Sequence, residues 1–253
     1  MSTALKNAPR HAAARALRRV VYGVYTWLLF LFLALTALCS AMLPGVERRR
    51  AAARATSRAL FKLAGLQITV KCAERIPQGQ CVIVANHASY LDGVVFTAVL
   101  PPRFGFVIKR EMARVPLAGL LLRRLGSLFV ERSNRQRGAN DARRLLRTAI
   151  NGSSLVFFPE GTFGLEPGLM KFHAGAFTTA ARAGCPIVPA VVRGTREVLP
   201  LYALLPRRSP IEVEFLAPLT ATAESADGAA NELRERARTA ILARLQEPDL
   251  AAA

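Results

Sequence analysis

Paired cysteines are missing from this chain. Its four, Cys39, Cys72, Cys81 and Cys185, are scattered, with no spacing of the metal-site or redox-motif kind. Cys39 lies in an apolar run, and Cys81 and Cys185 border strand-like segments, where cysteine acts as a small hydrophobe. That suits a reducing compartment and argues against a secreted domain. Acidic residues are few, 17 Asp and Glu against 35 Lys and Arg, which leaves a net charge of +18. A surplus of this size speaks of partners and not of fold: nucleic acid, an anionic membrane surface or phosphorylated substrates. No internal repeat is present, and 52% apolar with 21% charged residues excludes long disorder outside the two ends. A length of 253 residues allows one α/β domain with a sizeable core, plus an appendage.

Charge disappears altogether over residues 20–43, about 24 positions and enough to cross the hydrocarbon core of a bilayer. Tyr22, Tyr25 and Trp27 near one end are the amphipathic aromatics favoured at membrane interfaces. The run is too long for a typical signal-peptide core, although Ala37-Leu38-Cys39-Ser40 resembles a processing site. Arginines precede the run (Arg10, Arg15, Arg18, Arg19) and follow it (Arg48, Arg49, Arg50, Arg54, Arg58), so the positive-inside rule gives no orientation. A segment that dips in and returns would keep both basic flanks on one face. Residues 47–64 are Ala/Arg-rich and helical by propensity, suited to lying on an anionic headgroup surface.

Beyond this, short apolar runs alternate with helical stretches, the pattern of an α/β domain. Strands are expected at 66–70, 81–85, 104–108, 127–130, 155–158, 187–192 and 211–215, and helices at 141–150, 174–183 and 231–245. The organisation that follows is an N-terminal membrane segment over 1–65, a catalytic domain over 66–219, and a linker with a closing helix over 220–253.

Two clusters carry chemistry. The first is Asn86-His87-Ala88-Ser89-Tyr90-Leu91-Asp92, directly after an apolar strand. The carboxyl end of a strand is where α/β sheets place ligands, and imidazole is the side chain suited to take a hydroxyl proton near neutral pH. Asp92 could accept the other ring N–H and fix the tautomer. A continuous helix would set the two side chains about 140° apart, so a turn must intervene, with Asp92 near a helix start. On spacing alone, a turn His with an N-capping Asp explains the same residues. The second cluster is Phe157-Phe158-Pro159-Glu160-Gly161-Thr162, again ending an apolar strand. Gly161 permits close backbone approach, and Glu160 and Thr162 offer an acceptor and a hydroxyl to a polyol headgroup. Taken alone, it is equally an ordinary strand-to-loop turn.

Together these residues resemble the glycerolipid acyltransferases typified by bacterial lysophosphatidic acid acyltransferase. The first motif of that family is matched by Asn86, His87 and Asp92, and the second is similar to Lys109-Arg110-Glu111, Pro116, Gly119, Gly126 and Arg132. The third looks like Phe158-Pro159-Glu160-Gly161-Thr162, and the fourth like Val188-Pro189-Ala190. Order and spacing agree over about residues 66–215, which is far more specific than any one motif.

The resemblance implies an α/β fold, a mixed sheet flanked by helices of the glycerol-3-phosphate acyltransferase-like kind, with a membrane-associated helical segment at its N-terminal side. It implies direct acyl transfer from acyl-CoA or acyl carrier protein to the free hydroxyl of a lysophospholipid, foremost 1-acylglycerol-3-phosphate, giving phosphatidic acid. His87 would activate the hydroxyl and Asp92 orient it. Asn86, Lys109, Arg132, Glu160, Gly161 and Thr162 would bind substrate, Arg132 through its two-pronged guanidinium. Lys109 reads as well as a solvated strand-end cation, His173 as a surface or headgroup-facing residue, and Ser89 as a turn hydroxyl. No metal and no cofactor beyond the acyl donor is implied, and no nucleic-acid partner. The implied location is the cytoplasmic side of a bacterial inner membrane, with membrane lipids as partners and the oligomeric state left open.

One departure matters. Where the commonest form of the third motif continues with Arg, this chain has Phe163, which removes a phosphate ligand. Acceptors such as lyso-ornithine lipid, or a phospholipid transacylase reaction, therefore stay open. A reading from another class, a basic membrane-tethered binding protein, fits the charge. It gives no reason for His87 and Asp92 to stand with Glu160 and Gly161, and the chain lacks an aromatic-basic stacking surface.

Overall fold

The computed structural model describes residues 3–131, 135–223 and 225–251. In chain order the elements are α1 (Thr3–Ser40), α2 (Val46–Leu63), β1 (Ile68–Lys71), β2 (Val82–Ala85), α3 (Leu91–Val99), β3 (Phe104–Lys109), α4 (Ala118–Arg124) and β4 (Leu128–Val130). Then follow α5 (Arg135–Ile150), β5 (Ser154–Phe157), α6 (Gly175–Ala183), β6 (Ile187–Arg193), α7 (Thr195–Val198), β7 (Ile211–Phe215) and α8 (Ala226–Leu245). Each expected strand overlaps a strand of the structure. The expected helices recur as α5, α6 and α8, with α5 and α8 starting six and five residues earlier by 141 − 135 and 231 − 226.

The seven strands form one sheet in the order β1-β7-β6-β2-β5-β3-β4. Every neighbouring pair is parallel except β6 and β7, so β1 and β7 run against the other five. At the centre, β2 is Val82-Ile83-Val84-Ala85, buried at all four positions, as a strand covered on both faces must be. Its side chains alternate between two cores. Val82 and Val84 face a cluster with residues of α5, α6 and α8, while Ile83 and Ala85 face one with residues of α2 and α3. The result is a three-layer sandwich with the carboxyl ends of β2, β5, β3 and β6 gathered at one end.

At its N-terminal side the chain makes a helical hairpin, turned at Pro44-Gly45. The helices run antiparallel, with the Tyr22 and Tyr25 hydroxyls donating to the carbonyls of Ala64 and Leu63. Along α1 and just past its end, Leu33, Ala37 and Ala41 at four-residue spacing are buried, and Leu28, Leu31, Phe32 and Leu35 stand exposed. The stretch Ala16–Ser40 is long and apolar enough to cross a membrane.

The expectation that residues 47–64 lie on headgroups is corrected by where their arginines go. Arg49 donates to the carbonyls of Leu43 and Arg124, Arg50 to those of Arg103, Leu125 and Gly126, and Arg54 to those of Ala98 and Val99. These carbonyls include the unpaired C-terminal groups of α3 and α4, where a cation is also favoured by the helix dipole. Gly105 and Gly126 make room for Arg50: a Cβ on either would come within 2.9 or 3.0 Å of its guanidinium. With Phe61 and Ala64 in the core, α2 packs as part of the α/β domain, and a boundary at 65/66 cuts through packed structure. A boundary at 219/220 does the same, because Leu233, Ala237 and Ile241 of α8 complete the opposite core.

Candidate active site

Imidazole and carboxylate meet at the carboxyl end of β2. His87 stands in the turn between β2 and α3, and Asp92 occupies the first turn of α3. The turn removes the 140° problem of a continuous helix. His87 Nδ1 lies 2.7 Å from Asp92 Oδ2. The same oxygen accepts the backbone N–H groups of Ala88 (2.7 Å) and Ser89 (2.9 Å). Asp92 is fully buried, and its other oxygen has no partner among the described residues. One carboxylate oxygen therefore fixes both the turn and the ring. Asp92 is not the N-cap of α3, which is Tyr90 without a side-chain bond; it holds the preceding turn instead.

The two motifs are joined directly. The His87 backbone N–H donates to Glu160 Oε1 at 2.6 Å, and the Met170 N–H donates to Oε2 at 2.8 Å. Burial pushes the Glu160 carboxyl up to about 7; the two N–H bonds pull it down, and the Asp92 and Glu247 carboxylates raise it further. Both oxygens are spent inside the protein, and the residue is buried. Glu160 thus braces the turn at His87 from within the protein. Gly161 follows at φ +76°, and Thr162 is exposed just beyond.

Asn86 also departs from its expected role. Its Oδ1 accepts the Val192 N–H (2.8 Å) and its Nδ2 donates to the Val192 carbonyl (2.9 Å), so it staples β2 to β6. At 3% exposure it is buried, with its amide oxygen and one amide N–H committed to Val192. Lys109 ends β3, exposed, 3.4 Å from Glu111. Arg110 is drawn to Asp141, whose second oxygen accepts the Glu131 N–H. Arg132 lies outside the described residues. Ser89 is buried, donates to the Leu199 carbonyl and accepts the Leu91 N–H, as a turn hydroxyl does. His173 is exposed, with its N–H on the Pro159 carbonyl.

Aromatic rings around His87 are what motif reading missed. Phe158 stacks on the imidazole at 4.5 Å, and Phe163 meets it edge-on at 4.6 Å. Tyr90, mostly exposed, meets Phe163 at 4.8 Å. The residue that replaces the family's common Arg covers the imidazole itself.

With this geometry in view, the chain can be compared with known proteins. The Acyltransferase family model matches residues 67–193. The chain belongs to that family. It is 33% identical over 148 residues to the 1-acyl-sn-glycerol-3-phosphate acyltransferase of Haemophilus influenzae, covering 56% of this chain and 60% of that protein. It is 32% identical over 163 residues to the lyso-ornithine lipid O-acyltransferase of Pseudomonas aeruginosa, covering 62% of this chain and 60% of the relative. The match to a chloroplast relative from Brassica napus spans 37% of that protein's length. The crystal structure of the 1-acyl-sn-glycerophosphate acyltransferase PlsC from Thermotoga maritima superposes with a TM-score of 0.72 at 19% identity, covering 90% of this chain and 96% of the other, which establishes a shared fold.

Proposed function

We propose that the protein transfers a fatty acyl group from a thioester, acyl-CoA or acyl carrier protein, to the free hydroxyl of a lysophospholipid, foremost 1-acylglycerol-3-phosphate. The observation that carries this is the 2.7 Å pairing of His87 with a fully buried Asp92, beside a serine whose hydroxyl is already committed. A carboxylate-oriented imidazole with no uncommitted protein nucleophile bonded to it among the described residues is equipped to activate a hydroxyl that arrives with the substrate. With Nδ1–H held by Asp92, Nε2 takes the acceptor hydroxyl proton as the oxygen attacks the thioester carbonyl. The tetrahedral adduct collapses with cleavage of the C–S bond, and the departing thiolate recovers the proton from Nε2. The products are an ester and a free thiol. Arg132, Lys109 and Thr162 are the proposed headgroup contacts. The names of the Haemophilus and Pseudomonas relatives support the reaction class.

A second acceptor is favoured by Phe163. An edge-on ring against the imidazole suits a hydroxyl carried on an alkyl chain, as in lyso-ornithine lipid, better than one beside a phosphomonoester. Purified protein assayed with labelled acyl-CoA against lysophosphatidic acid, other lysophospholipids and lyso-ornithine lipid decides between them, with His87→Ala as the control. Activity without any thioester donor would mark a transacylase, and no acyl transfer to any acceptor would overturn the reading.

The apolar helix supports membrane association. We further propose that α1 lies in the interface of the cytoplasmic leaflet. Its one flank is occupied by α2, which the arginine clamps hold to the catalytic domain, leaving the Leu28, Leu31, Phe32 and Leu35 face to enter lipid. Other exposed apolar residues, Tyr90, Leu117, Leu165, Tyr202 and Leu204, belong to loops at the carboxyl ends of the strands, around His87. That end would meet the same lipid.

A further inference from the structure

Residues 161–168 carry Thr162 and Phe163 past His87, contain Gly161, Gly164 and Gly168, and are exposed from Gly164 to Pro167. A glycine-rich exposed segment of this kind has little of its own to hold it in place. It is held from outside. Arg196, in α7, directs one guanidinium nitrogen at three successive carbonyls: Gly164 (2.8 Å), Leu165 (3.2 Å) and Glu166 (3.0 Å). Its second terminal nitrogen lies 3.7 Å from Glu247, and the Arg196 side chain is only 16% exposed. Glu247 in turn accepts the Gly168 N–H at 2.6 Å.

The segment around Glu247 is itself fastened. Leu169 pairs with Asp249, its N–H donating to the Pro248 carbonyl and its carbonyl accepting the Leu250 N–H. Arg238 of α8 grips Asp249 with two nitrogens and also reaches the carbonyls of Leu169 and Met170. Gly168 has φ +145°, and a Cβ there would come within 2.5 Å of Leu250, so the loop and this segment touch without space between them. The next residue but one, Met170, donates to Glu160. A continuous path of bonds thus leads from Glu247 and Arg196 to the Glu160 brace under His87. Arg196 and Glu247 both lie outside the stretch that matches the family model.

We propose that Arg196 and Glu247 form a clamp that positions the 161–168 loop for acceptor binding, which makes them positioning residues for the reaction. The clamp is a statement about structure alone; its consequence for the acceptor rests on the proposed function. A guanidinium facing three carbonyls fixes the loop backbone, and so sets where Thr162 and Phe163 stand relative to the imidazole. Lysine offers a point charge in place of the planar fork and should hold the loop only in part. The donor thioester is not expected to depend on the loop.

The test uses the full chain with Arg196→Ala, Arg196→Lys and Glu247→Gln. Loss of one charge-assisted contact corresponds to about tenfold or more in affinity, so Arg196→Ala is expected to raise acceptor KM about tenfold. Donor KM and kcat should stay within about twofold, Lys should recover part of the loss, and millimolar guanidinium should restore acceptor KM in Arg196→Ala. Amide hydrogen exchange of residues 164–168, read without substrate, should lose protection in Arg196→Ala and Glu247→Gln. Should Arg196→Ala unfold, Glu247→Gln carries the same measurements. Unchanged exchange overturns the clamp. Faster exchange with donor and acceptor KM shifted equally, or neither shifted, overturns its role in acceptor binding. Faster exchange in a protein that acylates nothing on the lysolipid panel would support the clamp and overturn the proposed function.

Discussion

The backbone N–H of His87 rests on the carboxylate of Glu160 at 2.6 Å, so motifs 73 residues apart share one hydrogen bond. That carboxyl is held at about 7, above its ordinary 4.5, chiefly by burial. The folded protein therefore binds a proton here more tightly than the unfolded chain does. The contribution to stability is fully present below about pH 4.5 and is lost as pH rises through about 7. A shift of this size corresponds to about 3 kcal/mol as an order of magnitude. Denaturant unfolding between about pH 5 and 8 should show stability falling across the window, and Glu160→Gln should flatten that slope. An equal slope in the variant would contradict the assignment.

His87 and Asp92 should respond differently to substitution. His87→Ala removes the proposed base and is expected to cut turnover by about 10²- to 10⁴-fold with folding retained. Asp92→Asn can leave its amide oxygen where Oδ2 now accepts three N–H groups, preserving the turn while removing the charge that would stabilise an imidazolium. It should fold and lose about 10²-fold in turnover. Asp92→Ala strips the turn of its acceptor and should lower the melting temperature as well. Full turnover in a folded His87→Ala protein would remove the mechanism.

Phe163→Arg returns the residue common in the family to the edge of the imidazole. If the acceptor phosphate comes near this loop, the variant should favour lysophosphatidic acid over lyso-ornithine lipid by about tenfold or more, the worth of one charge-assisted hydrogen bond. Competition assays with the two acceptors measure this as a ratio of kcat/KM values. A ratio unmoved by the substitution would take Phe163 out of acceptor selection.

The strands and the pairing of His87 with Asp92 were legible because they depend on local pattern. Apolar runs such as 81–85 and 187–192 read as buried strands, His87 and Glu160 follow closely on strand ends, and Asp92 stands in the first turn of the next helix. Roles set by distant partners were not legible. Asn86 reads as a polar group free for substrate until β6 is laid beside β2, when Val192 takes both its amide atoms. Arg50 and Arg54 read as surface charge until the ends of α3 and α4 are brought to them. Arg196 and Glu247 bind backbone atoms, and a carbonyl leaves no trace in side-chain identity.

Arg50 gives a stability prediction that composition alone would not. Burial pushes its guanidinium pKa down, which marks a charge with little water around it, and its three carbonyl partners lie at Arg103, Leu125 and Gly126. Arg50→Ala should cost about 1–3 kcal/mol, the penalty of three partly buried carbonyls losing their donor. Arg48→Ala, one residue earlier and on the exposed side of the helix, should stay within about 0.5 kcal/mol. Chemical denaturation of the two variants provides the comparison, and equal losses would contradict the clamp at Arg50.

Membrane attachment can be separated from folding only if the chain is cut in the right place. Removing everything before Leu66 would take away Phe61, Ala64 and the arginine clamps along with α1, and the protein should then fail to fold. A chain beginning at Val46 keeps α2 and the Arg50 and Arg54 clamps and loses α1 with the turn after it. It should fold, with Tyr22 and Tyr25 no longer capping the end of α2, and it should leave the membrane far more readily than the full chain. Insertion of the α1 apolar face is not screened by salt, whereas exposed basic residues near anionic headgroups contribute about 1 kcal/mol each and are screened. Flotation with anionic liposomes should therefore retain the full chain at high salt and hold the Val46 chain only at low salt. Release of the full chain at high salt would rule out insertion by α1. Labelling of a cysteine introduced near residue 17, compared with one introduced on the surface of the α/β domain, then fixes topology. An interfacial α1 leaves that site on the same side as the domain, because α2 runs back along it to Ala64. A spanning α1 would protect the site, and would require the Tyr22 and Tyr25 bonds to α2 to break.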